Sequence, residues 1–302
     1  PDPVPRIRLS RDVLRLPIDS ANLNASHWVT ELAREQRPDG GWGRFHSQDT
    51  RANRRVPTTE FGVERALALG LDASHPILEK AVRYLVGLLQ GSIGFPDPPE
   101  ENDRWTTGAR LFAASALARI QPNHPALNET LELWSAIAEK TFASGAYDPD
   151  AEVEAHRQLT GATVKGSYLR MRGKYQLALL GARPNLLPRK IESRLLNWLS
   201  HSDEGLGYLD MPLAPLRWGF TPSQIDRWFA SLEIVSRFSG WRNRSKDIAQ
   251  WLWKQRGADG LWDFGAKASF TSAMPFSENW QKKNARKFDW TTRTLILLER
   301  FK

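Results

Sequence analysis

Four carboxylates stand where this chain could do acid–base chemistry: Glu60, Asp103, Asp226 and Asp289. Each lies at or near the start of a predicted apolar helix. A pair of such groups facing each other across a cavity would act as general acid and general base. Acids in a first helical turn also complement the helix dipole, so position alone leaves both readings open. The six histidines make no His-x-x-His or His-Glu-x-x-His spacing. The absence of cysteine excludes disulfides, thiolate metal sites and a Cys nucleophile. There is no nucleophile elbow, Walker loop or dinucleotide glycine fingerprint. No resident metal or cofactor is expected; Mg2+ would enter only as the companion of a diphosphate ligand.

Cations crowd the same stretches. Arg51, Arg54, Arg55, Arg104, Arg110, Arg157, Lys165, Arg172, Arg217, Arg227, Lys282, Lys283, Arg286 and Arg293 fall in long loops or in the helical turns after them. If the helices after these loops are parallel, their N-termini and these cations meet at one mouth. The pattern predicts a positive funnel for an anionic group such as a diphosphate, a nucleic-acid phosphate or a uronate. Its alternative is a set of cations scattered on solvated faces. Aromatic residues share the loops: Trp105, Tyr168, Trp218, Trp228 and Trp290. Trp105 and Trp290 each open a Trp-Thr-Thr sequence ahead of a helical arginine, Arg110 or Arg293. These rings could stack on a ligand or stabilise a cation, or they could be repeat packing. The expected ligand contacts are Arg55, Trp105, Arg110, Tyr168, Arg172, Arg227, Trp228, Trp290 and Arg293.

The positioning elements follow from apolar periodicity. Amphipathic helices are predicted over Asn24–Gln36, Ile77–Gln90, Leu127–Phe142, Leu186–Leu199 and Arg244–Gln255. More uniformly apolar ones are predicted over Phe61–Leu69, Trp105–Ile120, Lys165–Leu180, Gln224–Phe238 and Asp289–Phe301. Gly70 reads as a C-cap. Gly-aromatic turns at Gly40, Gly94, Gly145, Gly205 and Gly260 recur about every 55 residues, the regime of helical-pair repeats. Amphipathic members fit an outer layer and apolar members an inner one. The prediction is an all-α toroid of about five outer–inner pairs in residues 21–302. It is closed by the N-terminal outer and C-terminal inner helices, and residues 1–20 form an extended arm. An open superhelix, or a sixth pair hidden in a loop, also fits.

Two stretches are most alike: Gln36-Arg-Pro-Asp-Gly40-Gly-Trp42, and Gln255-Arg-Gly-Ala-Asp-Gly260-Leu-Trp262. This spacing resembles the repeat of the squalene–hopene cyclase and protein prenyltransferase superfamily. The resemblance covers roughly residues 24–302 and implies an α/α toroid. It also implies that Gln bonds backbone groups and Trp packs beneath the turn. Family catalytic residues do not transfer. At the inner-helix start that corresponds to the cyclase Asp-x-Asp-Asp motif, this chain has Thr58-Thr59-Glu60. The nearest echo, Asp148-Pro-Asp150-Ala-Glu152, reads as a solvated acidic loop.

The resulting expectation is a terpene-cyclase-like protein, enzymatic or degenerate, with an anionic isoprenoid at a basic mouth over an aromatic-lined interior. A nucleic-acid or anionic-polymer binder, a carbohydrate-active helical barrel and a filled scaffold stay open beside it. A net charge of +8 and a pI near 9.8 suit an anionic partner. No apolar run approaches the roughly 20 residues of a membrane span, which leaves peripheral contact as the membrane alternative. A cytoplasmic location is expected. A leader ahead of Pro1 and the oligomeric state are left open.

Overall fold

The computed structural model describes residues 2–18, 20–52, 54–163, 168–216, 219–266 and 273–302. Among these the chain is all-helical, with isolated β-bridges but no strand. Its α-helices are α1 (Pro3–Arg8), α2 (His27–Glu35), α3 (Thr59–Leu69), α4 (Pro76–Gln90), α5 (Trp105–Ile120) and α6 (Asn128–Thr141). They continue as α7 (Pro149–Thr160), α8 (Lys174–Leu180), α9 (Arg189–Ser200), α10 (Pro222–Val235), α11 (Lys246–Lys254) and α12 (Lys283–Arg300). No helix is long and apolar enough to cross a membrane among the described residues. The chain forms two compact units. The first comprises Pro1–Ala81, Pro215–Ala230 and Arg242–Lys302, the second Val82–Ala214 and Ser231–Trp241.

In the first unit, the turn after α2 is locked to the start of α3. Trp42 is wholly buried, and its indole N–H donates to the Leu32 carbonyl at 2.9 Å. Its backbone N–H donates to Thr59 Oγ1 at 2.9 Å, and that hydroxyl donates back to the Trp42 carbonyl. Gln36 Nε2 donates to the Gly40 and Ile77 carbonyls, each at 2.9 Å. Gly62 is required here, since a Cβ would lie 2.5 Å from the indole.

The same device recurs between α11 and α12. Trp262 Nε1 donates to the Leu252 carbonyl at 2.7 Å, and its backbone N–H to Thr291 Oγ1 at 3.0 Å. Gln255 differs: it is exposed, and its side chain makes no corresponding bond among the described residues.

A second junction ties the chain ends together. Arg65, almost wholly buried, donates to the Ala273 and Pro275 carbonyls and lies over the Trp28 ring. Burial lowers its pKa to about 10. Trp28 Nε1 donates to the Ser277 carbonyl, and Glu278 N donates to Asp2 Oδ2 at 2.8 Å.

The arm expected to be extended is instead wound. α1 continues into a π-turn at Leu9–Val13, and Val4, Pro5 and Ile7 are buried. Proline in a first turn removes only N–H groups that have no helical partner, so Pro3 and Pro5 do not oppose the helix. Arg8 and Arg11 then cap the end of α3, on the Ala68 and Gly70 carbonyls. Gly70 is the left-handed C-cap expected from sequence.

In the second unit, α5 packs on α8, and α6 packs on α7 and α8. The Asp148–Glu152 stretch is not a solvated loop. Asp148 accepts from the Asp150 and Ala151 N–H groups as the N-cap of α7, Pro149 takes the first helical position, and Gly161 ends the helix left-handed. The inner helix predicted over Lys165–Leu180 is shorter, because residues 168–173 form turns; residues 164–167 lie outside the described residues.

Candidate functional site

The four carboxylates have different fates. Glu60, on the first turn of α3, is about nine-tenths buried, and its Oε2 lies 2.7 Å from His46 Nδ1. The loop holding His46 is fixed by two backbone bonds, Thr59 N to the Arg44 carbonyl and Glu60 N to the Phe45 carbonyl. The His46 side chain is about 32% exposed, so this carboxylate–imidazole pair reaches solvent. Asp103 is exposed and accepts from Thr163 N at 2.8 Å.

Asp226 is fully buried in an ion pair with Arg293. Asp289 is also fully buried. Its Oδ2 accepts from Phe276 N (2.7 Å), Ser277 N (2.9 Å) and Trp280 Nε1 (2.5 Å), while Ser277 Oγ meets Oδ1 at 2.5 Å. Burial raises its pKa despite these donors. Its surroundings make it the anchor of the 276–280 turn rather than a group open to substrate.

Among the described residues, six of the expected loop cations stand in ion pairs. Arg55 meets Glu31 at 3.0 Å, Arg110 meets Glu129 at 2.5 Å and Arg157 meets Glu154 at 2.6 Å. Arg172 pairs with Glu204, and Arg286 meets Asp263 at 2.6 Å. Arg293 is taken by Asp226, and Arg227 is half-buried on α10. Arg51, Arg54 and Lys282 are exposed. Lys165, Arg217 and Trp218 lie outside the described residues, as does the side chain of Lys283.

The aromatic residues divide in the same way. Trp228 and Trp290 are wholly buried in a packed cluster. Trp228 lies 5.1 Å from the Trp251 ring and 5.7 Å from Phe229, while Trp290 lies 5.7 Å from Phe229 and 5.3 Å from Phe264. Arg293 sits over the Phe229 and Trp290 rings. These two tryptophans, expected as ligand contacts, are core.

In the second unit Trp105 is half-buried, edge-on to Phe95 at 5.5 Å. Tyr168 begins a ladder through Phe112 (5.7 Å), Tyr175 (4.5 Å) and Tyr208 (5.3 Å). Lys174 Nζ lies 4.8 Å from the Tyr175 ring centre and 5.9 Å from that of Tyr208. Tyr208 is 40% exposed and takes a left-handed backbone conformation (φ 71°) rare for a bulky residue. Burial raises the Tyr168 phenol pKa, with Glu100 adding to the rise and Arg104 opposing it.

Sequence reading missed several of these groups. His46 carried no motif. Glu152, wholly buried, accepts from Tyr147 Oη (2.7 Å), Arg170 Nε (2.6 Å) and Met171 N (2.5 Å). Burial pushes its pKa up against those partners, and pushes Tyr147 up to about 12. Asp148 followed by Pro149, with acids in the first turn, was the signal for a capped helix here. Among the described residues no group of three or more His, Asp or Glu is placed to hold a metal ion. No protein-family model matches the chain, and no curated protein matches it.

Proposed function

We propose that this protein binds an isoprenoid with an anionic head, on an α/α toroid of the terpenoid cyclase and prenyltransferase type. The toroid is supported by the similar junctions from α2 to α3 and from α11 to α12, where a buried tryptophan bonds a carbonyl of the helix before it and a threonine of the helix after it, Thr59 at the start of α3 and Thr291 more than two turns into α12. The binding site is the aromatic ladder of the second unit, and the observation that carries the reading is its exposed end. Tyr208 is held outward in a strained conformation beside Lys174, so a polarisable face and a cation are offered together. Such faces suit the double bonds of an isoprenoid chain, with the cation toward its head. Mg2+ enters as the companion of a diphosphate. The His46–Glu60 pair belongs to the other unit and is no part of this proposal.

Calorimetric titration with farnesyl diphosphate, farnesol and inorganic diphosphate tests the reading. Farnesyl diphosphate should bind more tightly than either fragment, and Tyr208→Ala should weaken it about tenfold. Equal affinity for farnesyl diphosphate and inorganic diphosphate would sink it. Salt-sensitive binding of DNA or RNA, with no prenyl preference, would instead select the nucleic-acid reading.

A further inference from the structure

α11 carries an exposed tryptophan that its packing does not require. Its inward residues Ile248 and Leu252 are buried, and the Leu252 carbonyl accepts from the Trp262 indole. The next residue, Trp253, faces solvent and is 48% exposed. The junction after α2 supplies a control within the same chain. There the Leu32 carbonyl accepts from the Trp42 indole, and the next residue is an exposed alanine, Ala33. The junction therefore forms without a ring at this position. Trp253 is nonetheless held in place. Its ring lies 5.2 Å from that of Trp262 at a tilt of 58°, with the Arg256 guanidinium 5.9 Å from its centre.

The same outward face is basic. Arg242, just before the helix, and Lys246, Lys254 and Arg256 are all exposed, and none is held by a carboxylate among the described residues. Lys246 precedes Trp253 by two helical turns, about 10 Å, so the two share one stripe with Gln250 between them. Asp247, exposed in the first turn, is the one acid on the helix, and Asp259 in the turn beyond is taken by Lys287. α2 is built the other way. Arg34 lies 3.7 Å from both Glu31 and Glu35, and the positions equivalent to Lys246 and Gln250 hold Ser26 and Thr30.

A lipid surface does not fit this face, because the apolar side of α11 is buried in the core and Trp253 alone projects. A flat ring set among spaced cations matches a chain that alternates negative charge with flat rings. In a duplex the base faces are stacked away, which would leave the indole without a partner. We infer that the outward face of α11 binds single-stranded nucleic acid. Trp253 stacks on a base, while Arg242, Lys246, Lys254 and Arg256 meet the phosphates on either side. This surface belongs to the first unit and is separate from the aromatic ladder proposed above for the isoprenoid; neither reading rests on the other.

The test follows, by fluorescence anisotropy, binding of octathymidylate and of an abasic deoxyribose-phosphate oligomer of the same length. The proteins are the full chain, Trp253→Ala, and Lys246→Glu combined with Lys254→Glu; all three positions are exposed, and melting is followed alongside. Octathymidylate should bind the full chain, and bind Trp253→Ala about tenfold more weakly, the loss of one stacked base. The charge reversal should weaken it at least about tenfold. In the full chain the logarithm of affinity should fall with that of salt at a slope of about −2 to −3, as expected for three or four phosphates on a single strand. The abasic oligomer isolates the stacking: it should bind the full chain about tenfold more weakly than octathymidylate does, and should not distinguish the full chain from Trp253→Ala. Equal affinity of the full chain for the two oligomers overturns the inference without recourse to any variant, and so does absence of binding. Binding to phosphatidylserine vesicles in place of the oligonucleotide overturns it in favour of a lipid surface. Farnesyl diphosphate should not displace octathymidylate; displacement would overturn a separate site.

Discussion

Asp226 and Arg293 show how a promising carboxylate becomes structural. Each is almost wholly buried against the other, and Arg293 is further held over two aromatic rings. Removing one partner breaks the ion pair and leaves the other group's charge in the core. Asp226→Asn should therefore lower unfolding free energy by about 3–5 kcal/mol in urea titrations, and replacing both partners with apolar residues should recover most of it.

His156 offers a second test, through pH. It is wholly buried, edge-on to Trp134 at 5.3 Å, and its pKa is lowered to about 4 by burial and by the charge of Arg170, against an interaction with the Leu169 backbone. An ordinary histidine binds its proton near pH 6.5, so the unfolded chain protonates first. The stabilisation is complete above that pH and is lost as pH falls toward 4, by about 3 kcal/mol in all. Glu152, one turn earlier on α7 and raised by burial, works the opposite way and offsets part of this loss. Comparing His156→Phe with the parent at pH 7 and pH 4.5 isolates the histidine, and the variant should lose less stability on acidification. Nothing in the spacing of Glu152 or His156 revealed these environments, because burial depends on which helices pack together.

Among the elements, the tryptophan–threonine junctions were half legible. Gln36, Trp42 and Trp262 stood out by their spacing from glycine. Thr59 and Thr291, which receive the Trp backbone N–H groups, read only as helix openers. Their roles need the loop and the helix in space together, and the Trp-to-Thr separation differs between the two copies. Each threonine hydroxyl should contribute about 1–2 kcal/mol, so Thr59→Val and Thr291→Val should destabilise by that amount and add when combined. Gly62→Ala should cost about 1–3 kcal/mol, because the new methyl presses on the Trp42 indole and the indole is fixed at both ends. Helices with strong periodicity were recovered almost residue for residue, α5 among them. α7 was missed because its charged composition masked a good N-cap, and α8 was overextended because its periodicity ran on through the turns at 168–173.

For the whole molecule, the all-helical class was readable from period and composition, whereas the field of cations was not. Charge counts record that arginines are many; they do not record that Glu31, Glu129, Glu204 and Asp263 stand beside them. The N-terminal segment is the clearest correction at this scale, since it packs against α12 and the end of α3. Ile7→Ala should accordingly cost about 2–5 kcal/mol, a core value, where an extended surface arm would lose almost nothing.

The bond from Glu278 N to Asp2 Oδ2 joins residues 276 positions apart. Closing so long a loop is entropically expensive, and contacts of that kind retard folding more than they weaken the folded state. The α2–α3 and α11–α12 hairpins are local and can form early, whereas the seam must wait for nearly all the chain. On refolding, Trp28, which donates to the Ser277 carbonyl across that seam, should acquire its native environment after Trp42 and Trp262. A circular permutant that joins the present ends and opens a surface loop elsewhere would turn the slowest contact into a local one and should refold faster.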